Sequence, residues 1–171
     1  MNIKEAIPER FSKEKFAIII DWIDGNSARF DELMTVFFEG NSRKNQHAAN
    51  IMSHCIDHWS FLVLPYIEKM LLNLKQDNLH DAIKRNTIRV LQTVEIPEEL
   101  HGIAADICFQ YLSNHEEAVA IKAFSMTVLF NISKHYPELK TELKFILEEQ
   151  LPYQSPGFKS RALKILRELR V

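Results

Sequence analysis

Residues 121–132 read IKAFSMTVLFNI, and three other segments of the chain repeat the same order of side chains. These segments are KNQHAANIMSHC from residue 44, IKRNTIRVLQTV from residue 83 and FKSRALKILREL from residue 158. Their starts lie 39, 38 and 37 residues apart. A recurrence at this spacing is typical of a chain built from stacked copies of one supersecondary unit.

The aligned segments share three structural positions. The fifth position holds a small residue, the eighth a β-branched residue, and the ninth Met or Leu. In segment order these are Ala48, Thr87, Ser125 and Ala162, then Ile51, Val90, Val128 and Ile165, then Met52, Leu91, Leu129 and Leu166. A small residue lets a neighbouring helix approach closely, and larger residues one turn later fill the space between the two helices. We therefore expect all four fifth-position residues to be buried at helix contacts.

Apolar residues recur at the three- to four-residue spacing of a helix face, and no segment alternates long enough to predict a strand. The sequence therefore predicts an all-α fold. The predicted helices span residues 12–24, 26–39, 43–58, 60–75, 81–94, 97–113, 116–135, 137–150 and 157–170.

Glycines, capping residues and prolines predict where these helices end and begin. Gly25 and Gly40 suit the position just after a helix, and Asn26 and Asn41–Ser42 suit the N-cap of the helix that follows. Proline is tolerated in the first turn of a helix, where no backbone donor is needed. The prolines that fit this position are Pro65, Pro97 and Pro137, and the alternative for Pro65 is a kink within one long helix from Ser60.

The order apolar–basic–x–x–small–x–x–apolar–Leu–x–x–apolar resembles the first helix of HEAT repeats. The helices at Pro65, Pro97 and Pro137 look like the second helix of each pair. The resemblance covers residues 42–171, and residues 12–39 look like a degenerate capping pair with Phe16 at the small position. Tetratricopeptide and armadillo arrays are the alternatives, but the spacing exceeds the tetratricopeptide period. The resemblance implies a short right-handed α-solenoid of antiparallel helix pairs, an ARM-type superhelix, with residues 1–171 as one domain.

Composition gives no overall attraction to nucleic acid or acidic membranes, because the formal net charge is -2 and the isoelectric point is near 6.4. Apolar stretches such as 16–20 and 61–65 are far shorter than the ~20 residues of a membrane span.

Cys55 and Cys108 form no CxxC motif and are predicted to be reduced, buried thiols. Since residues 1–10 are mixed and polar rather than a leader, we expect a cytoplasmic protein.

Motifs for chemistry are missing from the sequence. It contains no phosphate-binding glycine loop, no dinucleotide-binding glycine pattern and no nucleophile elbow. His54 and His58 share a helix face, but two ligands leave a tetrahedral metal site incomplete, so histidines lining a helix interface are favoured. The two Trp and eleven Phe fall mainly on apolar stripes and are predicted to belong to the core. We expect no catalytic residue, no metal and no cofactor.

Basic residues supply the candidate binding site. The second repeat position holds lysine in three of the four segments, and arginines lie close to it in sequence and along the last helix. Such residues could form a ridge that contacts anions or phosphates. The favoured alternative is that they bridge neighbouring repeats or are solvated at helix starts. The candidate binding residues are Lys84, Arg85, Lys122, Lys159, Arg161 and Arg167.

The HEAT resemblance implies a non-catalytic scaffold that binds a protein or peptide, with a second copy of the chain as another candidate partner. The alternative is a DNA-repair protein, because some alkylpurine DNA glycosylases are built from HEAT-like repeats. Those enzymes need cations on the concave face to hold DNA phosphates. In a HEAT-like stack, the second helices line that face. Between Arg89 and Lys122 the sequence holds no Lys or Arg, and the acids there include Glu98, Glu99 and Asp106. Nucleic acid is therefore disfavoured as a partner.

Overall fold

A computed structural model describes residues 1–39 and 42–170, and these residues contain helices and no strand. The α-helices are α1 (Ile3–Ala6), α2 (Lys13–Ile23), α3 (Ser27–Phe38), α4 (Arg43–His58), α5 (Ile67–Leu74), α6 (Asp81–Leu91), α7 (His101–Ser113), α8 (Val119–Ser133), α9 (Pro137–Gln150) and α10 (Pro156–Leu169). Short 3-10 helices span Ser60–Tyr66, Glu98–Leu100 and Leu151–Tyr153. The predicted all-α class is confirmed.

The chain forms two compact units, an N-terminal unit of Met1–Val90 and a C-terminal unit of Leu91–Val171. In the N-terminal unit, α4 packs against α2 and α3. In the C-terminal unit, α8 packs against α7, α9 and α10. Each unit is thus organised around a first helix of the sequence repeat. That residues 1–171 form a single domain stays a prediction.

The aligned positions of the repeat form the cores of both units. The four fifth-position residues have no exposed surface, and the eighth- and ninth-position residues are at most 3% exposed. The predicted burial and register of the repeat are therefore confirmed. One small residue, Thr87, has a hydroxyl with no hydrogen-bond partner among the described residues. Size rather than polarity is what suits Thr87 to this position.

The turn between α2 and α3 needs glycine for two reasons. Gly25 has a φ of +68°, in the left-handed region that favours glycine. A Cβ added to Gly25 would also lie 2.9 Å from Cδ1 of Trp59. Asn26 then caps α3, since its Oδ1 accepts a hydrogen bond from the Arg29 backbone N–H at 3.1 Å. Both predictions for this turn are confirmed.

Ser42 caps α4, as predicted, in a capping box with Asn45. The predictions for Gly40 and Asn41 lie outside the described residues. Pro137 occupies the first turn of α9, also as predicted.

Other predicted boundaries are corrected by the structure. Pro65 lies inside the 3-10 helix Ser60–Tyr66 rather than in the first turn of an α-helix, and α5 begins only at Ile67. A segment of 3-10 helix is a common way to begin or interrupt an α-helix where proline supplies no backbone donor. Pro97 likewise precedes a 3-10 turn, and α7 begins at His101. The sequence did not predict α1, which is only four residues long.

Replacing Ala162 by Leu should destabilise the C-terminal unit by about 1–3 kcal/mol, because a fully buried small residue at a helix contact leaves no room for three more carbons. Urea unfolding monitored by circular dichroism measures the change. Ser160→Leu on the exposed side of α10 is the matched control and should change the free energy of unfolding by no more than about 0.5 kcal/mol. Equal stability of the two variants would contradict the repeat register.

Candidate interaction surfaces

Lys122, one of the predicted binding residues, is buried in the C-terminal unit. Its exposed fraction is 2%, and Glu117, also buried at 9%, lies near enough to influence its charge. Burial lowers the pKa of the Lys122 ammonium, and the negative charge of Glu117 opposes that shift. A ligand at the surface cannot reach this side chain, so the prediction of an exposed lysine ridge is wrong at Lys122.

Lys84 and Arg161 are engaged within the fold. The Lys84 ammonium lies 3.5 Å from the carboxylate of Asp81, one helical turn earlier on α6. The Arg161 guanidinium on α10 donates hydrogen bonds to Thr127 Oγ1 at 2.6 Å and to Gln92 Oε1 at 3.1 Å. Arg161 therefore connects three consecutive repeats, as the alternative interpretation of the basic residues proposed. Both side chains therefore have partners within the chain.

The other basic candidates differ in exposure. Arg85 and Arg167 are exposed, and Lys159 is half-buried. Arg85 belongs to the N-terminal unit, whereas Lys159 and Arg167 lie on α10 of the C-terminal unit. Binding by these three residues stays a prediction.

In each unit, a tyrosine near the start of the second helix of one pair contacts the second helix of the preceding pair through its hydroxyl. In the N-terminal unit, the Tyr66 hydroxyl donates a hydrogen bond to the Asp31 carboxylate on α3. Burial, the hydrogen bond to Asp31 and the charge of Asp31 together raise the pKa of Tyr66 to about 12. The phenol therefore stays protonated and keeps its role as a donor at physiological pH.

The corresponding residue of the C-terminal unit is Tyr136, whose hydroxyl lies 3.3 Å from Nδ1 of His101 on α7. Nε2 of His101 lies 2.8 Å from the carbonyl oxygen of Ile96, which can only accept a hydrogen bond. Nε2 must therefore carry a proton, and in a neutral imidazole Nδ1 then accepts from Tyr136. Gln150 adds a second connection, since its amide donates to the Leu112 carbonyl at 3.0 Å.

An exposed apolar strip follows these second-helix elements in the N-terminal unit. Phe61, Leu64 and Leu72 are 54%, 52% and 52% exposed, and they recur with the exposed Glu68 at intervals of three and four residues. That spacing places them on one side of the 3-10 helix and α5. We call Phe61, Leu64 and Leu72 the apolar face. The sequence interpretation assigned phenylalanine mainly to the core and is wrong at Phe61.

The second helices of the C-terminal unit present acids to solvent. Glu98, Glu99 and Asp106 are exposed, as are four acids of α9: Glu138, Glu142, Glu148 and Glu149. Phe145 lies among the α9 acids and is 65% exposed, so assigning it to the core is also wrong. The alternation of Phe145 with acids one turn away was the signal in the sequence that could have identified it as a surface residue.

The histidine and cysteine candidates do not assemble into a reactive site. Within the described ranges, no group of three or more His, Cys, Asp or Glu side chains could hold a metal ion. His54 lies 3.4 Å from Asp57, whose carboxylate also accepts two hydrogen bonds from Arg89 at 2.8 and 3.1 Å. Burial raises the pKa of both Cys55 and Cys108 to about 12, which keeps these thiols protonated. That the protein binds no metal stays a prediction.

Comparison with protein families matches residues 3–169 to the HEAT repeat domain. No curated protein and no solved structure matches the chain significantly. Among the described residues, no helix combines the length and apolar character that crossing a lipid bilayer requires.

The buried Lys122 should make stability depend on pH. Because its folded pKa lies below the unfolded value, the unfolded state holds more protons between the two pKa values, and stability rises with pH in that window below 10.5. Relative to Lys122→Met, wild type should gain about 1.4 kcal/mol for each unit of pKa depression. Urea unfolding at pH values from 7 to about 10.5 measures this difference.

Glu117→Gln provides a matched comparison, because it removes the charge that opposes the shift and keeps the side-chain oxygen that accepts from the Ala118 backbone N–H. In this variant the rise in stability should begin at a lower pH. A difference between wild type and Lys122→Met that does not change with pH would contradict the assignment.

Proposed function

The chain belongs to the HEAT repeat domain family, and from that premise we propose that it is a non-catalytic scaffold that binds a protein or peptide segment. The apolar face of Phe61, Leu64 and Leu72 carries this proposal. A single exposed apolar residue is ordinary on a protein surface, but Phe61 and Leu64 lie one turn apart, and Leu72 continues their line beyond Glu68. Burying such a strip against a partner contributes about 25 cal/mol for each Å² removed from water.

The geometry of the strip fits an amphipathic helix as the bound segment. Its residues follow one side of the 3-10 helix and α5, as the side chains that anchor one helix on another usually do. Lys69 is exposed beside the strip and Glu68 lies in line with it between Leu64 and Leu72, so both signs of charge adjoin the apolar side chains. A polar rim around an apolar centre is the usual arrangement of a protein-binding surface.

We also place the protein in the cytoplasm, and we assign it no cofactor. Both cysteines are free and buried, as expected of thiols kept reduced. A second copy of the chain remains a candidate partner besides other proteins.

DNA repair is less well supported as a function. Holding a duplex requires several cations together on one surface. Of the six basic candidates, Lys122 is buried, Arg161 is bonded to neighbouring repeats, and Lys84 lies beside Asp81. The described second helices of the C-terminal unit present mainly acids instead.

The apolar face should determine peptide binding. Peptides selected from a displayed library of amphipathic helices on the folded protein should bind the triple variant Phe61→Ala, Leu64→Ala, Leu72→Ala at least about tenfold more weakly, because the anchoring surface is truncated. Isothermal titration calorimetry measures the affinities, and circular dichroism verifies that the variant is folded.

The matched control is the double variant Phe11→Ala, Ile18→Ala, whose residues are 69% and 52% exposed and lie just before and on α2. It should keep the affinity of wild type. Selection of no peptide at all, or equal binding by the triple variant and wild type, would refute the role of the apolar face.

Labelled duplex DNA should bind only at a non-specific level, with a dissociation constant of about 1 μM or weaker near physiological salt. The cations that α10 and its C-cap present, Lys159, Lys164, Arg167 and Arg170, are fewer than the roughly 6–10 phosphate contacts of a tight duplex complex. Fluorescence anisotropy over a range of salt concentrations tests this expectation. Sub-micromolar binding with a steep salt slope that flattens in Lys159→Ala, Arg167→Ala would favour the DNA-repair function over the scaffold.

A further inference from the structure

Phe145 is the centre of an exposed face on α9. The residues three and four positions away, which adjoin it on a helix surface, are Thr141, Glu142, Glu148 and Glu149. All four are exposed. The aromatic ring is therefore bordered by three carboxylates, and we call Phe145, Glu142, Glu148 and Glu149 the Phe145 face.

Three half-buried rings elsewhere at the surface each have a cation of the chain above them. These pairs are Arg29 over Trp22 at 5.1 Å, Lys69 over Phe38 at 4.2 Å and Lys134 over Phe130 at 4.8 Å from the ring centroid. Phe145 is more exposed than these rings, and like the exposed Phe11 and Phe61 it has no cation of the described chain over it; its border of three acids is what distinguishes it. Lys144 is rotated about 100° around the helix axis from Phe145 and so belongs to a different side.

We propose that the Phe145 face binds a lysine- or arginine-rich segment of a partner protein, which deepens the proposed scaffold function and rests on it. One cation of the segment lies over the Phe145 ring, whose negative face attracts it. Neighbouring cations pair with Glu142, Glu148 and Glu149, and arginine can do so through two hydrogen bonds.

The charges on the face exclude other occupants. Phosphate or an acidic peptide would meet three carboxylates of the same sign. A purely apolar segment would cover Phe145 but would remove those carboxylates from water without a partner, which is costly. A basic segment alone satisfies both the ring and its border.

The test uses a short fluorescent peptide of alternating arginine and serine, titrated by anisotropy at physiological salt. Phe145→Ala should weaken binding about three- to tenfold, since it removes the ring that attracts the cation. Glu142→Gln, Glu149→Gln should weaken it similarly and reduce the dependence on salt, because fewer ion pairs remain.

Two control variants lie in the N-terminal unit. Phe11→Ala removes a ring of comparable exposure that belongs to neither proposed surface, and Glu14→Gln, Glu32→Gln removes two exposed acids. Both should retain the affinity of wild type. Circular dichroism shows whether each variant is folded.

Several results would overturn the proposal. Equal weakening by Glu14→Gln, Glu32→Gln, with no effect of Phe145→Ala, would reveal general charge attraction. Equally tight binding of a glutamate–serine peptide would contradict the prediction that the partner segment is basic. Self-association in sedimentation that disappears in Phe145→Ala would identify a second copy as the occupant. Failure of the arginine peptide, while library peptides still bind through Phe61, would overturn this inference and leave the scaffold function intact.

Discussion

Close approach of neighbouring helices is the constraint on which both units depend. Each first helix places a small side chain at the same repeat position, and all four of these residues are completely buried. A single helix pair cannot cover its own apolar face, so stability comes from stacking the next pair against it. Thr87 shows that the position selects size, because its hydroxyl finds no hydrogen-bond partner among the described residues. Enlarging one of these residues would overpack the helix contact to which it belongs.

The same close approach determines what the basic residues do. The second repeat position is buried at Asn45 and at Lys122, both 2% exposed, and half-buried at Lys84 and Lys159. Asn45 stands where other segments have lysine, and its amide donates to the Val36 carbonyl on α3. Arg89 donates to the carbonyl of Ser53 in the same way, at 3.1 Å. Donors along the first helices thus satisfy acceptors of the adjoining element, which a buried carbonyl requires.

The sequence predicted the fold well because burial repeats with a period that can be read along one chain. Aligned segments identify which residues face a neighbouring helix, and the alignment alone predicted the burial of Ala48, Ser125 and Ala162. Exposure of a polar or aromatic residue depends instead on which neighbour lies opposite. The acids around Phe145 were a signal of its exposure, but the apolar spacing around Phe61 contains no such information. Lys122 was a candidate for an exposed ridge, although bridging between repeats or solvation at a helix start was favoured, and it is buried. The phenylalanines were assigned mainly to the core, and Phe145 is exposed. The apolar face was missed for the same reason, since Phe61 and Leu64 fit an apolar stripe whether or not anything covers it.

The side chains with shifted pKa values also favour binding over chemistry. Strongly shifted groups often mark active sites, but here the causes point to structure. Cys55 and Cys108 are buried thiols held in the unreactive protonated form, and Tyr66 is held by Asp31 across two helices. Lys122 has a lowered pKa, which would make an exposed amine more nucleophilic, but at 2% exposure no substrate can reach it. The exposed side chains of the second helices include apolar, acidic and basic groups, among them Leu72, Glu142 and Lys144, and groups of these kinds can contact a partner.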